Sequence, residues 1–127
     1  MTDCLDSWAV LSWLEGDEPA ASRVETAITN RAVMSWINVG EVAYILERRS
    51  TATDARRVVR HLRRRLRLEV PSEERVLQAA HLKARWPVAY ADAFAVATAV
   101  AHGATLLTGD PEILAGDPSW PTADLRL

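Results

Sequence analysis

The sequence predicts an α/β protein with a mostly parallel central sheet of four to five strands, covered by helices on both faces. Short apolar runs alternate with stretches of helical periodicity, the order expected of β–α–β units. Apolar residues make up 49% of the chain and charged residues 25%, as in ordinary globular proteins. With 127 residues and no repeat or linker, we expect one domain over 1–127, able to bury a core without disulfides.

The first third of the chain predicts one strand followed by two helices. The apolar run at 2–6 predicts a strand, and 9–16 predicts a short helix that ends at Gly16. Residues 18–30 have Pro19 near a helix start and apolar residues at helical spacing, which predicts the second helix.

The middle of the chain predicts a second strand, two helices and a third strand. The run "AVMSW" at 32–36 is the second strand, and a helix over 38–48 follows it. A further helix over 53–66 combines arginines on one side with valines and leucines on the other. The run "RLEV" at 67–70 predicts the third, short strand.

The last third predicts two helices and two strands. The helix over 72–85 opens on a serine and two acids, and it stops before a proline. The helix over 91–102 ends at Gly103, and "ATLLTG" at 104–109 predicts the next strand. Residues 122–127 predict a last strand at the edge of the sheet.

The positive charge of the chain is concentrated in one segment. Residues 48–67 hold nine arginines and one acid, whereas the other residues hold six Lys or Arg and sixteen acids, so the segment carries about +8 and the remainder about −10. A solvated helix face is the ordinary explanation of such a run, but in an otherwise acidic chain it favours a polyanion or an acidic partner. The arginines on roughly one side of the predicted helix and its end are Arg56, Arg60, Arg63, Arg64 and Arg67.

Cysteine usage and hydropathy indicate a cytoplasmic protein. Cys4 is the single cysteine, which excludes an internal disulfide and a cysteine-based zinc site, and we expect it to be buried. No apolar run approaches the ~20 residues that span a bilayer, so we expect no membrane partner. The segment "MTDCLDSW" lacks the basic and apolar pattern of a signal peptide.

Four acids map to one edge of the predicted sheet. Asp6 closes the first strand, Glu41 lies near the start of the helix after the second strand, and Asp110 follows the strand at 104–109. Asp92 begins the helix that leads into that same strand, so helix and strand run antiparallel and the helix start lies near the strand end. Ligands of parallel sheets bind at the carboxyl ends of the strands, and we therefore expect the four acids to converge there.

Each of these positions, taken alone, is also explained as a helix cap. Asp6 precedes a helix, Asp92 fits an N-cap or a first-turn acid, and Asp110 stands before a proline at a helix start. Asn38 and Glu41 have the spacing of a capping box. Capping does not explain why four carboxylates gather, because clustered carboxylates repel and raise one another's pKa. A divalent cation removes that repulsion, and hard ions such as Mg²⁺ or Mn²⁺ prefer oxygen ligands.

Other residues near this edge have ordinary explanations that remain open at this point. We interpret Ser7 and Thr108 as hydroxyls in turns or beside the acids, not as nucleophiles, since no histidine is placed near them. Trp8 and Trp36 flank the edge, as packing residues or as platforms for an unpaired base. We expect solvated or packing roles for the histidines, which are His61, His81 and His102.

Three segments carry a resemblance to a known family. The stretches "CLDS" (4–7), "INVGEVAYIL" (37–46) and "YADAFAVATAVAHGATLLTGD" (90–110), together with the length of the chain, resemble PIN-domain ribonucleases and in particular VapC-type toxins. The resemblance implies a PIN-like three-layer α/β/α sandwich and a Mg²⁺- or Mn²⁺-dependent endoribonuclease that hydrolyses RNA phosphodiester bonds.

The resemblance also assigns the catalytic and metal residues by position. They are Asp6, Glu41, Asp92 and Asp110. It implies that Asp6 and Asp92 bind the metal directly, while Glu41 and Asp110 complete the site or support a second ion. Glu112 is close enough in sequence to assist Asp110 or substitute for it.

The partners implied by the resemblance are an RNA substrate, a VapB-type antitoxin and a second copy of the chain in a homodimer. We expect an amphipathic antitoxin helix to dock on exposed apolar positions of the helices at 38–48 and 53–66. These positions are Val42, Ile45, Leu46, Val58, Val59 and Leu62. Core packing explains at least half of them equally well.

Three other classes of protein compete with this interpretation. A haloacid-dehalogenase-type phosphotransferase needs an aspartate two residues after the first acid, where this chain has Trp8. A nucleotide-binding module needs a glycine-rich phosphate loop, and the chain has five glycines and no such motif. A catalytically silent PIN-like module that only binds RNA or protein remains the alternative function.

Overall fold

The computed structural model describes residues 2–127; residue 1, which the predicted domain includes, lies outside the described residues. Its strands are β1 (Asp3–Leu5), β2 (Val33–Ser35), β3 (Arg67–Glu69), β4 (Thr105–Thr108) and β5 (Thr122–Asp124). They form one five-stranded sheet in the order β3-β2-β1-β4-β5, and all its pairings are parallel. This confirms the predicted fold class and makes the sheet parallel throughout.

Seven helices connect the strands within residues 2–127. They are α1 (Ser7–Glu15), α2 (Ala20–Thr29), α3 (Trp36–Arg49), α4 (Ala52–Arg65), α5 (Glu73–Arg85), α6 (Tyr90–Ala101) and α7 (Pro111–Leu114). The last is a single turn, which the sequence indicated only through the cap pattern of Asp110 and Pro111. No helix in this part of the chain has the length and hydropathy needed to cross a membrane.

The sheet has a hydrophobic core on each face. Consecutive strand residues point to opposite faces, so Leu5 and Leu107 pack with α1, α2 and α4, whereas Cys4 and Leu106 pack with α5 and α6. All four side chains are fully buried, and burying each leucine stabilises the fold by about 1.5–3 kcal/mol. Two covered faces give the predicted three layers, and Cys4 is a buried core residue as expected.

The predicted capping box at Asn38 is wrong. The strand β2 ends at Ser35, and α3 begins at Trp36, which the sequence had assigned to the strand. Ser35 is the N-cap, because its hydroxyl accepts a hydrogen bond from the backbone N–H of Ile37 at 3.2 Å. Asn38 therefore lies inside the first turn of α3, where its side chain is free for a different contact.

The start of α6 also differs from the simplest expectation. The N-cap is Ala89, which caps with no side-chain hydrogen bond, so Asp92 is a first-turn acid and not an N-cap. The helix ends as predicted, with Gly103 in the left-handed region at φ +59°. Because α6 packs antiparallel to β4, its first turn lies at the carboxyl end of the sheet.

The prediction that an antitoxin helix docks on six apolar positions is wrong for two of them. Val42 and Leu62 are fully buried in the core, because α3 and α4 pack against each other and against the sheet through them. The remaining four positions are partly buried. Leu46, Val58 and Val59 pack at the margin of the same core, and Ile45 lies outside it. Only this marginal set is available to a partner.

Candidate metal centre

The innermost acid of the site is Asp6, which is held from two sides. Its Oδ1 accepts a hydrogen bond from the backbone N–H of Ala9 at 2.8 Å, so it caps α1 directly after β1. Its Oδ2 accepts a short hydrogen bond from the hydroxyl of Thr108 at the end of the neighbouring strand β4. Asp6 is 1% exposed. It is therefore both a cap, as one of its predicted explanations required, and a fixed carboxylate at the centre of the sheet edge.

Glu41 approaches the same edge from α3. Its Oε1 accepts a short hydrogen bond from the hydroxyl of Ser7, the first residue of α1. Ser7 and Thr108 thus orient two acids, Glu41 and Asp6, through hydroxyl contacts. This agrees with the interpretation of these hydroxyls as partners of the acids.

The acids that lie closest together are Asp92, Asp110 and Glu112. One carboxylate oxygen from each of the three falls within 4.8 Å of the others. Asp110 caps α7 by accepting hydrogen bonds from the backbone N–H groups of Glu112 at 2.8 Å and Ile113 at 3.4 Å. Glu112, which the sequence left as an open possibility, stands in this group because the short helix α7 turns it back toward α6.

The acids surround an open cleft of about 530 Å³. Its lining residues are Ser7, Trp8, Leu11, Glu41, Ala89, Asp92, Asp110, Pro111 and Glu112. Trp8 forms one wall and also packs on the core. Its ring lies so close to Gly109 that a Cβ atom there would be 2.2 Å from ring atom Cζ2, which explains why glycine precedes Asp110.

Burial and mutual repulsion raise the pKa of two acids. Burial raises the pKa of Asp6 to about 7; the hydrogen bonds from Thr108 and Ala9 oppose this shift, and the charges of Asp110 and Glu41 add to it. Burial likewise raises the pKa of Asp92 to about 7, and the charges of Asp110, Glu41 and Asp6 add to that effect. Burial is thus the main cause of both raised pKa values, and the neighbouring carboxylates add to it.

The donor set fits a hard divalent cation. Every titratable side chain lining the cleft is a carboxylate, and three of them are close enough to share one ion. A bound cation would offset the repulsion that adds to the effect of burial on the pKa values of Asp6 and Asp92. The structure thus brings all four predicted site residues to one edge of the sheet and adds Glu112 to them.

Asn38 links the two helices that carry Glu41 and Asp92. Its Nδ2 donates a hydrogen bond to the backbone carbonyl of Ala91 at 2.9 Å, across the contact between α3 and α6. Asn38 is fully buried, and its Oδ1 has no hydrogen-bond partner within residues 2–127. Its role is to hold the two helix starts together, which the local sequence pattern did not indicate.

Aromatic and histidine side chains are mostly engaged away from the acids. Trp36 lies beneath the guanidinium of Arg63, with its ring centroid 5.4 Å from the guanidinium carbon. His61 stacks on Trp13, with centroids 5.8 Å apart, and His102 contacts Glu69 at 2.8 Å. These contacts agree with the packing and solvated roles expected for the histidines.

The fold and the site together define an α/β protein with a cluster of carboxylates at the carboxyl edge of a parallel sheet. Residues 4–116 match the PIN domain family. This chain therefore belongs to the PIN-domain family, as its sequence motifs suggested.

Solved structures with the same fold include several toxin–antitoxin proteins. VapBC-1 from nontypeable Haemophilus influenzae is 22% identical at a TM-score of 0.75 over 100% of both chains. DNA-bound VapBC from Salmonella typhimurium is 19% identical at a TM-score of 0.77, over 98% of this chain and 99% of that one. Mycobacterium tuberculosis VapC20, described as a sarcin-ricin loop cleaving toxin, is 20% identical at a TM-score of 0.72, over 90% and 94% of the two chains. No curated protein sequence matches the chain.

Proposed function

We propose that this protein is a Mg²⁺- or Mn²⁺-dependent endoribonuclease toxin of the VapC type, neutralised by a VapB-type antitoxin. The observation that carries the proposal is the convergence of Asp92, Asp110 and Glu112, with their oxygens within 4.8 Å, beside the buried Asp6. Family membership and structural similarity to VapBC proteins support it. The whole chain, residues 1–127, would act as one domain in the cytoplasm.

The acids would have two roles, which are to bind a cation and to shape the site around it. Asp6 and Asp92 would bind the ion directly, and Asp110, Glu41 and Glu112 would complete its surroundings. When bound, the cation would neutralise the acids, polarise the scissile phosphate and make water a better nucleophile. Ser7 and Thr108 would keep the carboxylates of Glu41 and Asp6 in fixed orientations through their hydroxyl hydrogen bonds.

The proposed protein partners are the antitoxin and a second copy of the chain. An antitoxin segment that covers the acid cleft could rest on the partly buried apolar margin of α3 and α4, for example on Leu46 and Val58. A homodimer would have an exposed apolar face available on α5 and α6, where Leu77 is 62% and Val100 55% exposed. The resemblance supports both partners, and the likeness to VapBC structures supports the antitoxin.

Cleavage of RNA by the purified protein tests the enzymatic proposal. Wild type should cleave RNA with Mg²⁺ or Mn²⁺ and lose that activity in EDTA. Asp92→Asn should abolish cleavage and keep the fold, since the Asp92 side chain is not the cap of α6. Asp17→Asn, a change to an exposed acid outside the cleft, is the matched control and should be fully active. Full activity of a folded Asp92→Asn protein would contradict the catalytic assignment.

Expression in cells tests the toxin proposal. The wild-type chain expressed alone should arrest growth, and co-expression of its antitoxin should restore it. Asp6→Ala should relieve the arrest, because it removes the buried carboxylate at the centre of the site. Equal toxicity of wild type and an equally abundant Asp6→Ala protein would mean that the harm does not come from this site.

A further inference from the structure

The helix α3 presents a line of exposed side chains on the same side as Glu41. Ile37, Tyr44 and Arg48 lie four residues before, three after and seven after Glu41, which places them along one helix face. Ile37 is 38% and Tyr44 47% exposed. Because Glu41 lines the acid cleft, this face leads directly out of the candidate metal centre.

Tyr44 and Arg48 form an ordered pair on this face. The guanidinium carbon of Arg48 lies 5.0 Å from the centroid of the Tyr44 ring, a cation–π contact between residues one turn apart. Tyr44 is not among the side chains of either hydrophobic core of residues 2–127, so packing does not account for an aromatic residue here. The pair is a flat, partly exposed surface with a positive charge beside it.

The position of the pair suits a strand that passes through the acid cleft. With a rise of ~1.5 Å per residue, Tyr44 lies roughly 4.5 Å and Arg48 roughly 10.5 Å beyond Glu41 along α3. At the ~3.4 Å per nucleotide of one strand in a DNA duplex, these distances correspond to about one to three nucleotides. An RNA strand that follows α3 from the acids would therefore reach the pair within a few nucleotides.

The chemistry of the pair favours a nucleobase over an acidic peptide. Every base has a π face that stacks on a tyrosine ring or on an arginine plane, without requiring a particular sequence. The basic charge continues from Arg48 through the segment 48–67, which favours an RNA backbone beside the stacked base. An acidic peptide would pair with the arginines, but its carboxylates would have no stacking contact with the Tyr44 ring.

We propose that Tyr44 and Arg48 form a subsite for one nucleobase of a single-stranded RNA, one to three nucleotides from the cleavage point. The subsite rests on the proposed ribonuclease function. Arg48 keeps the ring in orientation and adds its own charge, and Tyr44 provides the stacking surface. The subsite contributes affinity and position, and it takes no part in the chemical step.

Binding of a fluorescent single-stranded RNA, measured by anisotropy in Mg²⁺, tests the subsite in an Asp92→Asn background that leaves the RNA intact. Adding Tyr44→Ala should weaken binding by roughly tenfold, within the range for loss of one stacked base, whereas Tyr44→Phe should bind as the background protein does. Arg48→Ala should weaken binding more than the matched control Arg49→Ala, whose guanidinium instead pairs with Glu15 at 3.0 Å.

An RNA that lacks one base identifies the contact. Scanning an abasic site along the RNA should reveal one position at which Tyr44→Ala has no further effect, because the stacked base is already missing. If the Asp92→Asn protein and the same protein with Tyr44→Ala bind RNA equally well, the subsite is overturned and the ribonuclease proposal still stands. If the background protein and wild type bind no RNA at all, both proposals fall. A Tyr44→Ala protein that loses affinity only for an antitoxin peptide would assign this face to the antitoxin and also overturn the subsite.

Discussion

Replacing Asp92 with asparagine should stabilise the metal-free protein at neutral and alkaline pH. In the folded protein the pKa of Asp92 is about 7, because the residue is buried and faces the charges of Asp110, Glu41 and Asp6. In the unfolded chain an aspartate has a pKa of about 3.9. The folded state therefore holds a proton that the unfolded state has released between about pH 4 and pH 7, so stability falls as the pH rises through that window.

The magnitude follows from the size of the shift. A shift of roughly three pKa units at ~1.4 kcal/mol each sets an upper limit of about 4 kcal/mol for the destabilisation by ionised Asp92 above pH 7. Asparagine loses a favourable interaction with the start of α6 worth about 0.3–1 kcal/mol, and the open cleft admits water that screens the charges. We expect a net gain of about 1–3 kcal/mol for Asp92→Asn at pH 8.

Urea unfolding in EDTA at pH 5, 6, 7 and 8 measures this effect. The stability of wild type should fall with rising pH because both Asp92 and Asp6 ionise, each contributing up to ~1.4 kcal/mol per pH unit. The stability of Asp92→Asn should fall through the ionisation of Asp6 alone. Mg²⁺ at 100 times its dissociation constant should return ~2.7 kcal/mol to wild type but not to the variant. Asp17→Asn, the surface control, should follow wild type. A variant less stable than wild type at pH 8, or with the same pH slope, would refute the reasoning.

Three further predictions address other parts of the molecule. Gly109→Ala should destabilise the protein by about 1–3 kcal/mol in urea unfolding, because the new Cβ overlaps the ring of Trp8, and it should cost much less when combined with Trp8→Ala. Arg60→Ala with Arg64→Ala should weaken RNA binding and lower the slope of log K against log salt by roughly 0.7 per lost contact. An unchanged slope with weaker antitoxin binding would assign the arginine-rich segment 48–67 to the antitoxin. Burial raises the pKa of the Cys4 thiol far above its usual range, so a thiol reagent should label Cys4 only as fast as the protein unfolds. Prompt labelling of the native protein would contradict the position of Cys4 in the core.

Local sequence patterns predicted the elements well where one explanation was available. Asp110 followed by a proline predicted an N-cap, and the structure has that cap. Asn38 and Glu41 had the spacing of a capping box, but the same spacing also occurs inside a helix that starts two residues earlier. Which start is used depends on how far β2 extends, and that is settled by pairing with distant strands.

The candidate site was predictable in its location but not in its detail. Topology alone placed Asp6 and Asp92 at one edge, because the carboxyl ends of parallel strands lie together. The proximity of Glu112 to Asp92 depends on the single turn α7, which is too short for periodicity to reveal. The contact between Asn38 and the carbonyl of Ala91 joins residues 53 positions apart, and no local pattern encodes such a contact.

The order of the strands has a consequence for when the acid cluster can first form during synthesis. The first strand to leave the ribosome, β1, lies in the middle of the sheet, and its register with β4 pairs Cys4 with Leu106. Contacts this distant in sequence form late and slowly, because a long loop must close before they are made. Asp110 and Glu112 follow β4, so a nascent chain has no complete acid cluster until β4 and α7 have been translated. The repulsion among these carboxylates therefore arises only once β4 and α7 have joined the sheet.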